Sequence, residues 1–219
     1  MRKLTALGRI TLAGMMVVVG SQFAAAAAPV LGKDYQVINP AQATEHRDRI
    51  ELVEFFWYGC PHCYDLEPAF NRWIKGQPKD VGVRRVPAIF RDSWVPAAKI
   101  FYTLETLGEL ENLHGRVFDA MHRERINLNS EKILFDWVGK QGVDAKKFAE
   151  TYQSFAVQSK VQRAIQMTKA YGIDGVPALI VEGKYLTTNG MAGGLEPLFA
   201  VLDGLIQKAR SERQPTAKK

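Results

Sequence analysis

The stretch Ile50-Glu51-Leu52-Val53-Glu54-Phe55-Phe56-Trp57, with the turn that follows it, constrains the fold more than any other segment. β-branched and aromatic residues dominate it, which predicts a strand. Apolar and polar positions do not alternate cleanly, so the strand is expected at the centre of a sheet with both faces covered. Gly59 ends it. Pro61 suits the first turn of a helix, where its missing N–H is not needed. Tyr64, Leu66, Phe70 and Trp73 fall on one helical face, so the helix runs on through them. Pro68 lies within that span and predicts a kink. The junction between strand and helix reads Cys60-Pro61-His62-Cys63.

The rest of the chain fits around this unit. Val81 to Phe90 predicts a second long strand, with Pro87 confining part of it to an edge or a bulge. From Pro96 to Tyr171 the pattern turns helical, with helices expected at 97–107, 110–123, 130–140, 145–154 and 155–171. Gly108 and Gly142 read as helix stops, Ser130 and Asp144 as N-caps. Strand character returns at Val176–Val181 and at Lys184–Leu186, joined by Glu182-Gly183 as a hairpin turn. Tyr35 to Ile38 is a candidate edge strand, and Leu195 to Ala209 a last amphipathic helix. A helical block between two strand-bearing halves predicts an α/β domain interrupted by a helical subdomain. A chain of 219 residues has room for one such domain and its insertion.

The first residues have another character. Arg2, Lys3 and Arg9 precede a short apolar run from Ile10 to Val19, and an alanine tract follows from Ala24 to Ala28. This is the pattern of a secretory signal peptide cleaved near Ala26–Ala28. The apolar run is far shorter than the ~20 residues of a spanning helix. The formal net charge is +6, and three basic residues belong to this leader, so the remainder carries +3. Lys208, Arg210, Arg213, Lys218 and Lys219 gather near the C-terminal end and read as a solvated tail. No basic stripe interleaved with aromatics is present, so nucleic acid is not an expected partner.

The chain has two cysteines, both in one Cys-x-x-Cys. Exported proteins commonly use cysteines as staples. A loop this short stabilises by only roughly 2 kcal/mol before ring strain is subtracted, so reactivity explains the pair better than stapling. The thiolate is the attacking species, and a helix N-terminus favours negative charge. Cys60, at that terminus, is the expected nucleophile. Cys63, one turn further in, is the expected resolving thiol, and a charged His62 between them would favour the thiolate further. A favoured thiolate stabilises the reduced form and makes the disulfide a stronger oxidant. A zinc site would need two more ligands. His46, His114 and His122 are the histidines available, and the latter two stand eight apart, which is not ligand spacing. Covalent haem would need a histidine at position 64, which is Tyr64. No metal and no prosthetic group is expected.

Glu54-Phe55-Phe56, Cys60-Pro61-His62-Cys63 and Gly175-Val176-Pro177 together resemble the DsbA family of thiol:disulfide interchange proteins, within the thioredoxin superfamily. The resemblance spans essentially all of the chain after the leader. It implies an α/β, thioredoxin-like fold interrupted by an inserted helical subdomain. The parts would be a leader at 1–27, the thioredoxin-like domain at 28–94 and 166–212, the insertion at 95–165 and a basic tail at 213–219. It also implies a monomeric periplasmic oxidoreductase that introduces disulfide bonds into exported proteins, with the Cys60–Cys63 disulfide in place of any cofactor. Its partners would be reduced exported proteins and a quinone-linked membrane reoxidant resembling DsbB.

The resemblance assigns catalysis to Cys60, Cys63, His62, Pro61 and Glu54, and substrate binding to Val176 and Pro177. Sequence alone reads Val176-Pro177 as an ordinary trans strand start. The resemblance implies a cis peptide that exposes the Val176 backbone to an extended substrate. Glu54 by itself reads as an acid on an exposed strand face. The resemblance makes it a buried acid that assists proton transfer at Cys63, raised toward neutrality by burial. Its basic partner would be Arg84 or Arg85, according to strand register. Trp57 and Tyr58 fit either the core or the rim of a substrate groove. Two other readings are a reductase or isomerase of the same fold and a binding module with an inert Cys-x-x-Cys. An isomerase would normally carry an N-terminal dimerisation domain, for which the roughly ten residues between leader and first strand leave no room.

Overall fold

The computed structural model describes residues 28–213. The expected signal peptide, at 1–27, and the tail beyond Arg213 lie outside the described residues. One sheet holds β1 (Gln36–Val37), β2 (Ile50–Phe56), β3 (Val81–Pro87), β4 (Ala178–Val181) and β5 (Tyr185–Thr187), in the order β1-β5-β4-β2-β3. Every residue of β2 is buried, as its unbroken apolar character requires. β3 runs parallel to it and β4 antiparallel. A parallel neighbour needs a crossover, and α1 (Pro61–Lys75) supplies it. That requirement places the Cys-x-x-Cys at the end of the central strand.

The two faces of β2 are covered by different elements. Leu52 packs with Leu66 and Phe70 of α1 and with Leu198, Leu202 and Leu205 of α8 (Leu195–Arg213). Val53 and Phe55 face the other way, and the Phe55 ring meets Tyr171 at 5.2 Å. Between β3 and β4 the chain forms α2 (Val95–Leu107), α3 (Leu110–His122), α4 (Glu131–Lys140), α5 (Ala145–Tyr152) and α6 (Phe155–Ala170). Their apolar faces close on Ile100, Leu104, Val117, Leu134, Val138 and Phe148, all buried and continuous with the core under β2.

The local signals are borne out unevenly. Asp144 caps α5 by accepting from the N–H groups of Lys146 (2.9 Å) and Lys147 (3.0 Å). Ser130 occupies the N-cap of α4 but makes no side-chain bond. β3 stops at Pro87, three residues before the expected Phe90, although the Ala88 N–H still donates to Phe56 O at 2.8 Å. β3 is an edge strand, where a proline costs no ladder bond. Pro68 lies inside α1, which continues across it to Lys75. The Val176–Pro177 peptide is cis, and so is Asn39–Pro40, which the sequence did not signal. A short helix, α7 (Asn189–Ala192), was not foreseen either; Thr188 Oγ1 caps it by accepting from the Met191 N–H at 3.2 Å.

Among the described residues, the C-terminal basic cluster is helical and not a frayed tail, although Lys208 and Arg213 stay exposed. α8 runs to Arg213, and its basic residues are paired. Lys208 meets Glu212 at 3.2 Å, Arg210 meets Asp80 at 2.7 Å and Arg213 meets Glu182 at 2.7 Å. Two of these partners, Asp80 and Glu182, are distant in sequence, so local pattern did not show that the helix continues. At the β4–β5 turn Gly183 has φ +61°, and a Cβ there would run into the carbonyl oxygen of Gln42. Gly183→Ala is therefore expected to lower unfolding stability by about 2 kcal/mol or more, as backbone strain adds to overlap. Urea denaturation checks this; an unchanged midpoint would contradict the geometry.

Candidate active site

β2 ends at Phe56, and four residues turn the chain into α1. Cys60 is the N-cap residue, with extended backbone (φ −88°, ψ 117°), and Pro61 follows in the first turn. The Cys60 N–H donates to Trp57 O at 2.9 Å, and Cys60 O accepts from the Tyr64 N–H at 3.1 Å. Cys60 therefore opens the helical ladder, next to its unpaired N–H groups. Its side chain is 7% exposed, while Cys63 is fully buried and His62 is exposed. Both cysteines are free thiols. Across from them lies the cis Val176–Pro177 peptide. As a thiol, Cys60 donates to Val176 O at 3.4 Å. The surface beside it is a groove of about 790 Å³ lined by His62, Gly175, Val176, Pro177, Thr188 and Asn189, among others.

The two sulfurs have opposite acidities. The hydrogen bond from the Cys63 thiol favours the Cys60 thiolate most. Burial opposes it, while the N–H groups of Cys63 and His62 and the charge of His62 add to it. The net effect brings Cys60 from 9.0 to about 6. Cys63 is driven far upward, first by burial and then by the same hydrogen bond and the nearby thiolate charge. One helical turn thus separates a thiolate at neutral pH from a thiol that holds its proton.

Glu54 lies on β2 below the pair and is 1% exposed. The strand register sets Arg85 opposite it, and Arg85 Nε reaches Glu54 Oε2 at 3.0 Å. Arg84 points to the other face of the sheet, where it meets Glu51 at 3.2 Å and Glu45 at 3.4 Å. The choice between the two arginines therefore falls to Arg85, and Glu54 is a buried acid and not an exposed one. Burial raises its carboxyl from 4.5 to about 7; Arg85 pulls it down and the Glu67 charge pushes it up.

Several groups here were left open by the sequence or given no role in this site. Tyr58 is buried, with its hydroxyl 2.7 Å from His114 Nδ1. Its carbonyl accepts from His122 Nε2 at 2.7 Å. Tyr58 is thus a core residue, while Trp57 is half-buried and stacks on Trp94 with ring centroids 4.0 Å apart. Glu67 is 5% exposed and accepts from Asn71 Nδ2 at 2.7 Å. A signal for Glu67 was available, because it sits on the buried face of α1 with Cys63, Leu66 and Phe70. His114 sits likewise among Leu113, Val117 and Phe118 of α3. A polar residue on an apolar helical face marks a buried polar network. Among the described residues, no three His, Cys, Asp or Glu side chains are grouped to hold a metal ion.

A Cys-x-x-Cys opening the helix after a central buried strand, opposite a cis-proline, defines a thiol–disulfide oxidoreductase of the thioredoxin fold. A family model described as the DSBA-like thioredoxin domain matches residues 83–205. The chain belongs to this DSBA-like thioredoxin family. The thiol:disulfide interchange protein DsbA of Burkholderia cepacia is 38% identical over 191 residues, covering 87% of this chain and 90% of that protein. The protein of the same name from Pseudomonas aeruginosa is 39% identical over 180 residues, 82% of this chain and 85% of its own. The crystal structure of Pseudomonas aeruginosa DsbA superimposes with a TM-score of 0.80 at 38% identity, over 84% of this chain and 96% of that one. The oxidoreductase DsbA from Xylella fastidiosa does so with a TM-score of 0.79 at 28% identity, over 84% and 100%.

Two measurements test the electrostatics. The thiolate absorbance of the reduced protein is expected to rise with a midpoint about 6, and a midpoint near the ordinary 9.0 would contradict the geometry. Glu54 binds its proton more tightly folded than unfolded, so its stabilising contribution is full below 4.5 and lost as the pH rises through about 7. Glu54→Gln removes that loss. Above pH 7 the variant should exceed the parent by up to about 3 kcal/mol in urea unfolding, with the gain vanishing in acid.

Proposed function

We propose that this protein is a periplasmic disulfide oxidoreductase that introduces disulfide bonds into exported proteins through Cys60 and Cys63. The observation that carries the reading is the placement of the two sulfurs, with Cys60 at the N-terminus of α1 facing the Val176 carbonyl and Cys63 fully buried one turn further in. In the oxidised form, a substrate thiolate attacks Cys60 Sγ. The Cys60–Cys63 bond breaks, and its electron pair goes to Cys63, which takes up a proton. Glu54, buried and about half-protonated near neutrality, is the proton source. A second substrate thiolate then attacks the substrate sulfur of the mixed disulfide. Cys60 leaves as a thiolate, a good leaving group because its thiol is acidic. The substrate has lost two electrons and the enzyme has gained them as a dithiol.

Pro61 and His62 shape this exchange from between the cysteines: Pro61 starts the helix and His62 adds charge beside the thiolate. Val176 and Pro177 hold an extended substrate segment by backbone pairing along the groove. The enzyme is reoxidised by a quinone-linked membrane protein resembling DsbB and acts as a monomer. The leader with Arg2, Lys3 and Arg9 supports export, and relatives named thiol:disulfide interchange proteins support the exchange chemistry.

Two assays test the direction of the reaction. Cys60→Ala should abolish oxidation of a reduced substrate protein; unchanged turnover would favour a binding module. Equilibration with glutathione should give a potential well above the roughly −270 mV of thioredoxin, and a thioredoxin-like value would make the protein a reductase.

A further inference from the structure

Behind Glu54 lies a chain of buried and half-buried polar groups that the exchange mechanism does not use. Arg85 offers Nε to Glu54 at 3.0 Å. Its terminal nitrogen donates to Asn71 Oδ1 at 2.6 Å and lies 3.5 Å from Glu67 Oε1. Asn71 donates on to the same Glu67 oxygen at 2.7 Å, so it bridges the arginine to the second acid. His114 Nε2 faces that oxygen at 3.5 Å from α3. Glu67 Oε2 has no hydrogen-bond partner. One guanidinium therefore serves two buried carboxylates.

The titratable and charged groups facing Glu54 can be named element by element. They are Arg85 from β3, Glu67 and Cys63 from α1, and Tyr58 from the turn before α1. β4, on the remaining side, is Ala178–Val181 and contributes only apolar side chains. His114 stands behind Glu67. The Tyr58 hydroxyl and His114 Nδ1 lie 2.7 Å apart; in the tautomer in which the hydroxyl donates, the ring proton sits on Nε2, 3.5 Å from Glu67 Oε1. Burial keeps this imidazole neutral by lowering its affinity for a second proton. The buried cluster then contains one fixed positive charge, Arg85, against two acids. Electroneutrality in a low-dielectric interior requires one acid to keep its proton. Glu67 is the one that ionises: burial pushes it up, but the contacts from His114, Arg85 and Asn71 outweigh that and bring it below its ordinary value.

We propose that Glu67, held by Asn71 and His114, is a positioning residue for the exchange reaction: it occupies the charge of Arg85 and so leaves Glu54 protonated and ready to serve Cys63. This rests on the proton-donor role given to Glu54 above. It makes the helical insertion, through His114 on α3, part of the control of the redox centre. It adds to burial, the larger cause, in offsetting the pull of Arg85 on Glu54.

The test reads Glu54 directly. The side-chain carboxyl of Glu54 is titrated by carbon NMR in the reduced protein, its resonance assigned with Glu54→Gln. Glu67→Gln keeps the shape and the Asn71 contact but removes the charge. The Glu54 midpoint should then fall by about one pH unit, a tenfold loss of proton affinity, because Arg85 is left to Glu54 alone. His114→Gln should lower it in the same direction by less, and it decides the matter if Glu67→Gln does not fold. Glu67→Asp, which keeps the charge, should hold the midpoint near the parent value. A purely structural role would not move a distant carboxyl in one direction according to charge. A fall of half a unit or more in the charge-removing variant supports the proposal; a smaller change or a rise overturns it. Exchange activity is assayed separately, so a Glu54 midpoint that shifts in an inactive protein would count against the function and not against this coupling.

Discussion

The burial of β2 on both faces is the constraint from which the rest follows. A strand with no solvated face needs a helical layer on each side. α1 and α8 cover one face, and the inserted helices cover the other. Because β3 lies parallel to β2, the chain must leave the top of β2 and cross over as a helix. The N-terminus of that helix then falls at the end of the most buried strand in the molecule. A thiol placed there is shielded from water and faces unpaired N–H groups, which no surface loop would combine.

The same burial creates an electrostatic problem, and the structure answers it in two ways. Glu51 and Glu54 are both buried on β2. Three residues apart on a strand, they project to opposite faces. Each meets one of two consecutive arginines on β3, with Arg84 on Glu51 and Arg85 on Glu54. The two pairs are not equivalent. Arg84 also meets Glu45, in a setting open enough for Glu45 to be partly exposed. Arg85, about as exposed as Arg84, faces Glu54 and Glu67, with His114 behind Glu67. Replacing such buried pairs by apolar residues is often neutral or stabilising, so their presence in a core argues for a chemical use.

Much of this was legible in the sequence. The strand at Ile50–Trp57, the helix start at Pro61, the helical block and the β4–β5 hairpin all follow from local composition and period. Elements set by distant partners did not. The last turn of α8 is polar and is held by Asp80 and Glu182, so the pattern stopped at Ala209 while the helix goes on to Arg213. At the site, the cysteines declare themselves by spacing. Arg84 and Arg85 could not be told apart until the register with β2 was known. Glu67 and His114 were visible as polar residues on apolar faces, but their meeting depends on how α1 packs on α3. A sequence carries each half of that contact and not the contact itself.

Whether the site oxidises or reduces depends on a competition between two small terms. Closing the Cys60–Cys63 ring restricts the unfolded chain and favours the disulfide by roughly 2 kcal/mol. Lowering Cys60 to about 6 favours the dithiol, but only the part of the shift below the ambient pH counts. At pH 7 that part is worth at most roughly 1.4 kcal/mol, less whatever water screens at the surface of the site. Ring strain reduces the first term further, so the two are of similar size. The balance therefore passes to groups that act on the second sulfur. The energy of Cys63 as a leaving group is set by burial and by whether a proton is at hand. A proton held on Glu54 removes a negative charge that would otherwise oppose ionisation of Cys63. In the proposed role, the cluster of Arg85, Glu67 and His114 acts on the reaction through the charge state of a single carboxyl group.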